Sequence, residues 1–137
     1  MTEPVVRRYD PADPADAAAL RALLRDEGDD WAEYHGADGW PRYTRALASS
    51  VVYVAVDGPD VRGYARCRED DGFGVYVYDL LVAASHRGRH LGRRLMERAC
   101  ADFPDQPVYV MSDVDAYYTG LGYPREGSVF RVAPGDP

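Results

Sequence analysis

Between Val51 and Asp102 the chain alternates strand-like and turn-like segments and then closes on one strongly amphipathic run, an order that few folds accommodate. Val51–Val56 is an unbroken apolar run, the signature of a buried strand. Asp57-Gly58-Pro59-Asp60 has turn chemistry. After it, Val61, Gly63, Ala65 and Cys67 alternate with Arg62, Tyr64, Arg66 and Arg68, which predicts a half-buried antiparallel partner. A second turn, Glu69-Asp70-Asp71-Gly72, leads into a long strand over Val75–Val82. Residues 91–102 then read as a helix, with Leu91, Leu95, Met96, Ala99 and Cys100 on one face and arginines on the other.

The flanking segments complete the pattern. Pro4–Tyr9 is a short first strand. In Asp13-Pro14-Ala15-Asp16 the first Asp can cap a helix, Pro suits its first position, and Asp16 complements the dipole. Ala17, Leu20, Leu23 and Leu24 keep helical spacing until Gly28. From Asp26 to Trp40 the chain turns acidic, glycine-bearing and aromatic, a loop or a broken helix pair, and Arg42–Ala48 adds a further turn or two of helix. After the long helix come a strand at Val108–Met111, a short helix over Asp115–Leu121 stopped by Gly122, and a closing strand at Ser128–Val132. The expected architecture is an α/β single domain over residues 1–137. It has a mixed, mostly antiparallel sheet flanked by helices, with 133–137 as a flexible tail.

Composition excludes several classes of function. With 137 residues, 46% hydrophobic and 28% charged, the chain is globular in character. Its net charge of −7 argues against a general nucleic-acid binder and favours cationic or neutral ligands. Every basic residue is arginine. No apolar run approaches the ~20 residues of a membrane span, and the first ten residues lack a signal-peptide pattern. With only Cys67 and Cys100 there is no disulfide framework, so a reduced, cytoplasmic setting is expected. Neither cysteine has a paired His/Cys spacing and His86 and His90 lack a third ligand, so no metal is expected.

The densest chemical signal is the stretch from Val82 to Leu95, where a strand ends and a Gly- and Arg-bearing turn opens a helix. Free N–H groups at a helix start form an anion site. Gly88 and Gly92 allow close backbone approach, and Arg87, Arg89 and Arg93 add charge. The same pattern also suits a solvated basic helix end.

Arg87-Gly88-Arg89-His90-Leu91-Gly92 resembles the Arg/Gln-x-x-Gly-x-Gly/Ala signature of the GNAT superfamily of N-acetyltransferases, with His90 in place of its first paired glycine. Tyr118-Thr119-Gly120-Leu121-Gly122-Tyr123 is similar to the family's C-terminal Tyr-x-x-x-Gly-Phe motif, with Tyr for Phe. The resemblance covers the element order from Val5 to Val132. It implies acetyl-CoA as the donor and a primary amine, of a small molecule or a peptide, as the acceptor. The cofactor-binding residues it implies are Leu80, Leu81 and Val82 on the strand, Arg87, Gly88, Arg89, His90, Leu91, Gly92 and Arg93 at the helix start, and Asp113. Tyr118 is the implied general acid on the departing thiolate. Asp79 stands where polyamine-type members carry the second residue of a Glu-Asp pair, and is the candidate base. Asp29, Asp30, Trp31 and Tyr34 border the implied acceptor cleft, where carboxylates and aromatic faces suit a cation. No nucleic acid or membrane partner is expected, and a homodimer is compatible with the family. The alternative reading is a catalytically silent acyl-CoA-binding sensor or regulatory module.

Overall fold

A computed structural model describes residues 3–135; the last two residues of the expected tail lie outside the described residues. Five strands, β1 (Val5–Arg8), β2 (Val51–Asp57), β3 (Asp60–Glu69), β4 (Val75–Val82) and β5 (Val108–Val110), form one sheet in sequential order. All neighbours pair antiparallel except β4 and β5, which run parallel. The helices are α1 (Pro14–Glu27), α2 (Ala32–His35), α3 (Gly39–Ala48), α4 (Leu91–Asp102) and α5 (Asp115–Gly120).

The capping expectations for α1 hold. Asp13 accepts from the Ala15 N–H at 2.9 Å, Pro14 is the first helical residue, and Gly28 ends the helix at φ +90°. Asp16 does more than complement the dipole. It is buried and receives both Nη atoms of Arg7 at 2.7 and 2.8 Å plus the Asp10 N–H at 2.8 Å, which pins α1 to β1.

The sheet is buried on both faces. Leu20, Leu24, Tyr43 and Leu47 from α1 and α3 pack on Val52, Val54 and Tyr64 on one side. On the other, Leu91, Leu95 and Ala99 of α4 pack on Tyr53, Ala65 and Val77. The half-buried pattern expected for β3 is therefore corrected at Tyr64, which is fully buried beneath α1 and α3.

One irregularity positions the site. Cys67 faces Val77, but the next residue along, Arg66, faces Asp79, so Tyr78 is an extra residue bulged out of β4. The bulge inverts the side-chain alternation. Val77 faces α4, whereas Asp79 and Leu81, two and four residues on, face the α1–α3 side. β5 pairs only with Val75–Val77 and its last bond is Met111 N–H to the Val77 carbonyl at 2.9 Å, so beyond the bulge the two strands diverge.

The closing strand expected at Ser128–Val132 is absent. The segment has no regular structure, and Val129, Phe130 and Val132 are 74%, 84% and 89% exposed. Its local pattern suits a strand, but no sheet edge pairs with it.

Candidate active site

The divergence of β4 from β5 opens a cavity of about 470 Å3, lined by Asp30, Trp31, Tyr34, Tyr78, Asp79 and Leu80 on one side and by Met111, Ser112, Asp113 and Val129 on the other. Three of the four residues expected at the acceptor cleft, Asp30, Trp31 and Tyr34, meet Asp79, Leu80 and Asp113 here. Asp29 does not line it. The acidic-aromatic segment folds as a short 3-10 turn at Asp29–Trp31 followed by α2. Trp31 and Tyr34 face inward as a connected aromatic group, their ring centroids 5.4 Å apart, with Tyr34 4.7 Å from Tyr43.

Asp79 is only 8% exposed and fully engaged through one oxygen. Its Oδ2 accepts from Tyr43 Oη and from Arg66 Nε, both at 2.6 Å. Tyr43 spends its only proton on Asp79, so the 2.7 Å contact between the Tyr43 and Tyr64 hydroxyls has Tyr64 as donor. Burial, reinforced by Asp79, pushes the Tyr43 and Tyr64 phenols far above their ordinary range. Burial opposes the charge on Arg66, but the hydrogen bond to Asp79, the Asp79 charge and Tyr43 together outweigh it, and the guanidinium holds its proton more tightly than usual. Arg66 and Tyr43 were not among the residues expected at the site. The signal that could have found them was the cost of an unpaired carboxylate in an apolar strand, which demands a cationic partner on the neighbouring strand.

At the cofactor end, the alternation of β4 sets which backbone groups are open. The Ala83 N–H bonds the Arg62 carbonyl of β3 at 2.8 Å, so the alternate residues Leu80 and Val82 turn their backbone groups toward the gap left by β5. Leu81 instead turns its main chain to β3 and its side chain into the α1–α3 core. Gly88 has φ +80° and His90 φ +62°, a left-handed conformation that caps α4. His thus fills a position the backbone would give to glycine, and its ring stays exposed, clear of the buried core.

The arginines divide. Arg87 is committed elsewhere: its Nε donates to the Val82 carbonyl at 3.1 Å and its Nη2 pairs with Glu27 of α1, which fastens the loop to the fold. Arg93 pairs with Glu97 along α4 at 3.5 Å. The N–H groups in the first turn of α4, at Leu91, Gly92 and Arg93, have no partner within the helix by geometry. A Cβ built at Gly92 would sit 2.7 Å from the Tyr117 hydroxyl and 3.6 Å from Leu80 and Val82, so any larger residue would have to displace the Tyr117 ring.

Tyr118, the expected acid, is half-buried against the α4 cluster that also holds Leu80 and Val82, and does not line the cavity itself. Burial, with Tyr117 and Asp113 adding, pushes its phenol up to about 12.

A sheet that opens at a β4 bulge beside a helix start defines an acyltransferase-type fold with a cofactor cleft, and sequence comparison places it. Residues 17–121 match the model of the acetyltransferase (GNAT) family, and the chain belongs to that family. A mycothiol acetyltransferase from Geodermatophilus obscurus is 35% identical over 120 residues, an alignment covering 82% of this chain but only 37% of that protein. This chain thus spans little more than a third of that relative's length. An aminoglycoside acetyltransferase from an uncultured soil metagenomic sample superposes with a TM-score of 0.73 at 24% identity, covering 98% of this chain and 100% of that one. An aminoglycoside 6'-N-acetyltransferase complexed with coenzyme A superposes at 0.64 with 19% identity, over 86% and 72% of the two chains. At those identities the likeness is one of fold.

The residues present fit acetyl-CoA, the donor this family uses. Leu80 and Val82 lie on the stretch of β4 that β5 does not cover, with the Val82 carbonyl held by Arg87, Gly92 keeps a Cβ out of the corner beside Tyr117, and the α4 start offers N–H donors to a diphosphate. Among the described residues, no helix is long and apolar enough to cross a membrane.

Proposed function

We propose that the chain moves an acetyl group from acetyl-CoA to a primary amine by direct attack, with the cavity at the β4–β5 divergence as the acceptor pocket. The observation that carries this reading is the meeting of acidic and aromatic walls with the unpaired stretch of β4. Asp30 and Asp113 supply negative charge, and Trp31, Tyr34 and Tyr78 supply ring faces, a lining suited to a cationic amine. The relatives, a mycothiol acetyltransferase and aminoglycoside acetyltransferases, support a small-molecule acceptor.

Acetyl-CoA bound along β4 supplies an activated thioester carbonyl. The chain's own residues do the rest. Main-chain groups of Leu80 and Val82 hold the arm as an added strand would be held, and the amides from Gly88 to Arg93 hold the phosphates. Asp79 accepts the amine proton, directly or through water, at Oδ1, since Oδ2 already takes two hydrogen bonds. Tyr118, kept in its protonated form by burial, donates to the departing thiolate.

The test is thiol release from acetyl-CoA by the purified chain across a panel of small amines. Release with at least one amine, cut more in kcat than in acetyl-CoA affinity by Tyr118→Phe, is expected. Calorimetric binding of CoA with no thiol release from any amine would instead favour the silent-sensor reading.

A further inference from the structure

We propose that Arg66 is a positioning residue for this site, fixing the two residues that the β4 bulge delivers to the cavity, Tyr78 and Asp79. A bulge leaves its extra residue outside the regular ladder, so side-chain contacts must set where it points. Arg66 is the residue directly across from the irregularity, in register with Asp79. Its Nε donates to Asp79 Oδ2 at 2.6 Å, while its guanidinium carbon lies 5.5 Å from the centre of the Tyr78 ring and 5.7 Å from that of Tyr43. Nη1 reaches Ser50 Oγ at 3.3 Å, tying the group to the end of α3. One planar cation thus pairs with the carboxylate through Nε and lies over two rings, a combination that the ammonium of a lysine does not provide. The side chain is only 14% exposed, so these contacts exclude most competing water.

The consequence for chemistry is one of charge and aim. Paired with Arg66, Asp79 adds little net negative charge to the cavity, which leaves Asp30 and Asp113 to attract a cation and Asp79 to receive a proton. The groups that face Asp79 are Arg66 and Tyr64 of β3, Tyr43 of α3 and Tyr34 of α2, the last coupled to Asp79 electrostatically. Arg66 is the one cation among them. The effect on turnover rests on the amine-acetylation reading; the coupling of Arg66 to Asp79 does not.

The test therefore has two arms. In the ligand-free full chain, the 13C signal of the Asp79 carboxyl, assigned through Asp79→Asn, is compared at one neutral pH in the wild type, Arg66→Lys and Arg66→Met. Removing the guanidinium that donates to Oδ2 at 2.6 Å should displace that signal in both variants and further in Arg66→Met. If Arg66→Met fails to fold, Arg66→Lys carries this arm alone. An unmoved signal in every variant that folds overturns the proposal.

In the second arm, Arg66→Met should lower kcat/KM for the amine by about tenfold or more with the KM for acetyl-CoA unchanged, and Arg66→Lys should restore part of the loss. The double variant Arg66→Met/Asp79→Asn should be hardly slower than Asp79→Asn, because one residue acts through the other. Multiplicative losses, or wild-type turnover in Arg66→Met, overturn it. A signal that moves in a chain that acetylates no amine supports the coupling and strikes the acetyltransfer reading alone.

Discussion

At Asp16 and Tyr118 burial acts in the same sense, disfavouring the charged form, but at Asp16 the bonded partners overrule it and at Tyr118 nothing does. The hydrogen bonds from Arg7 hold the Asp16 carboxyl below the usual carboxylate range, against the opposing effect of burial. A folded-state value below the unfolded one of about 3.9 means stability that is present above about pH 4 and lost as pH falls through the folded value. Asp102, held low by Tyr53 and Arg98, adds to the same acid limb. Asp16→Asn should therefore cost about 2 kcal/mol at neutral pH, the scale of hydrogen bonds to a charged group, and flatten the fall in stability below pH 4. Urea titrations at pH 3, 5 and 7 check this, and an unchanged pH slope would remove Asp16 from the account. For Tyr118 the neutral form is favoured, with the phenol up to about 12, so it remains a proton donor throughout the range where an amine assay is run. The wild-type kcat profile should accordingly show no alkaline loss up to about pH 10, near the ordinary tyrosine value. A fall centred below that would argue against Tyr118 as the acid.

Much of the element order was legible because its causes are local. The Asp13-Pro14 start, the Gly28 stop and the spacing of Leu91, Leu95 and Ala99 are properties of short segments, and the structure places α1 and α4 where they point. What escaped is relational. The Tyr78 bulge exists only as a mismatch between β3 and β4, so no reading of either strand alone reveals it, and with it went the Arg66–Asp79 pair. Ser128–Val132 shows the converse, a strand-like sequence without an edge to join. Tyr64 read as solvent-facing because its neighbours Arg62 and Arg66 are charged, yet α1 and α3 cover it. The start of α4 offers a test of the local kind. His90 holds φ +62°, a region costing roughly 1–2 kcal/mol for residues with a Cβ. His90→Gly should leave the chain at least as stable, and His90→Val, β-branched in that region, should destabilise it by about 2 kcal/mol. Thermal melts of both variants decide the matter; a harmless valine would mean that the left-handed cap is not adopted in solution.

At the scale of the molecule, and on the amine-acetylation reading, the net charge of −7 acts in opposite directions on the two proposed substrates. A cationic amine is drawn toward the protein from beyond contact distance, whereas an anionic nucleotide donor is repelled until it reaches the local N–H donors of α4. Both long-range effects fade as the Debye length shrinks from about 10 Å at 0.1 M salt to about 3 Å at 1 M. Raising ionic strength should therefore raise the amine KM and leave the acetyl-CoA KM level or lower. Within the cavity the source of the attraction is narrower than the total charge. Asp30 and Asp113 line it, Asp79 is neutralised by Arg66, and Asp29 lies outside. Asp30→Asn and Asp113→Asn should each raise the amine KM severalfold, about 1 kcal/mol apiece, and each should blunt its salt dependence. Asp29→Asn removes the same unit of net charge without touching the lining, so it isolates long-range steering from local binding. Equal effects from Asp29→Asn and Asp30→Asn would place the amine's recognition in the overall field and away from this cavity.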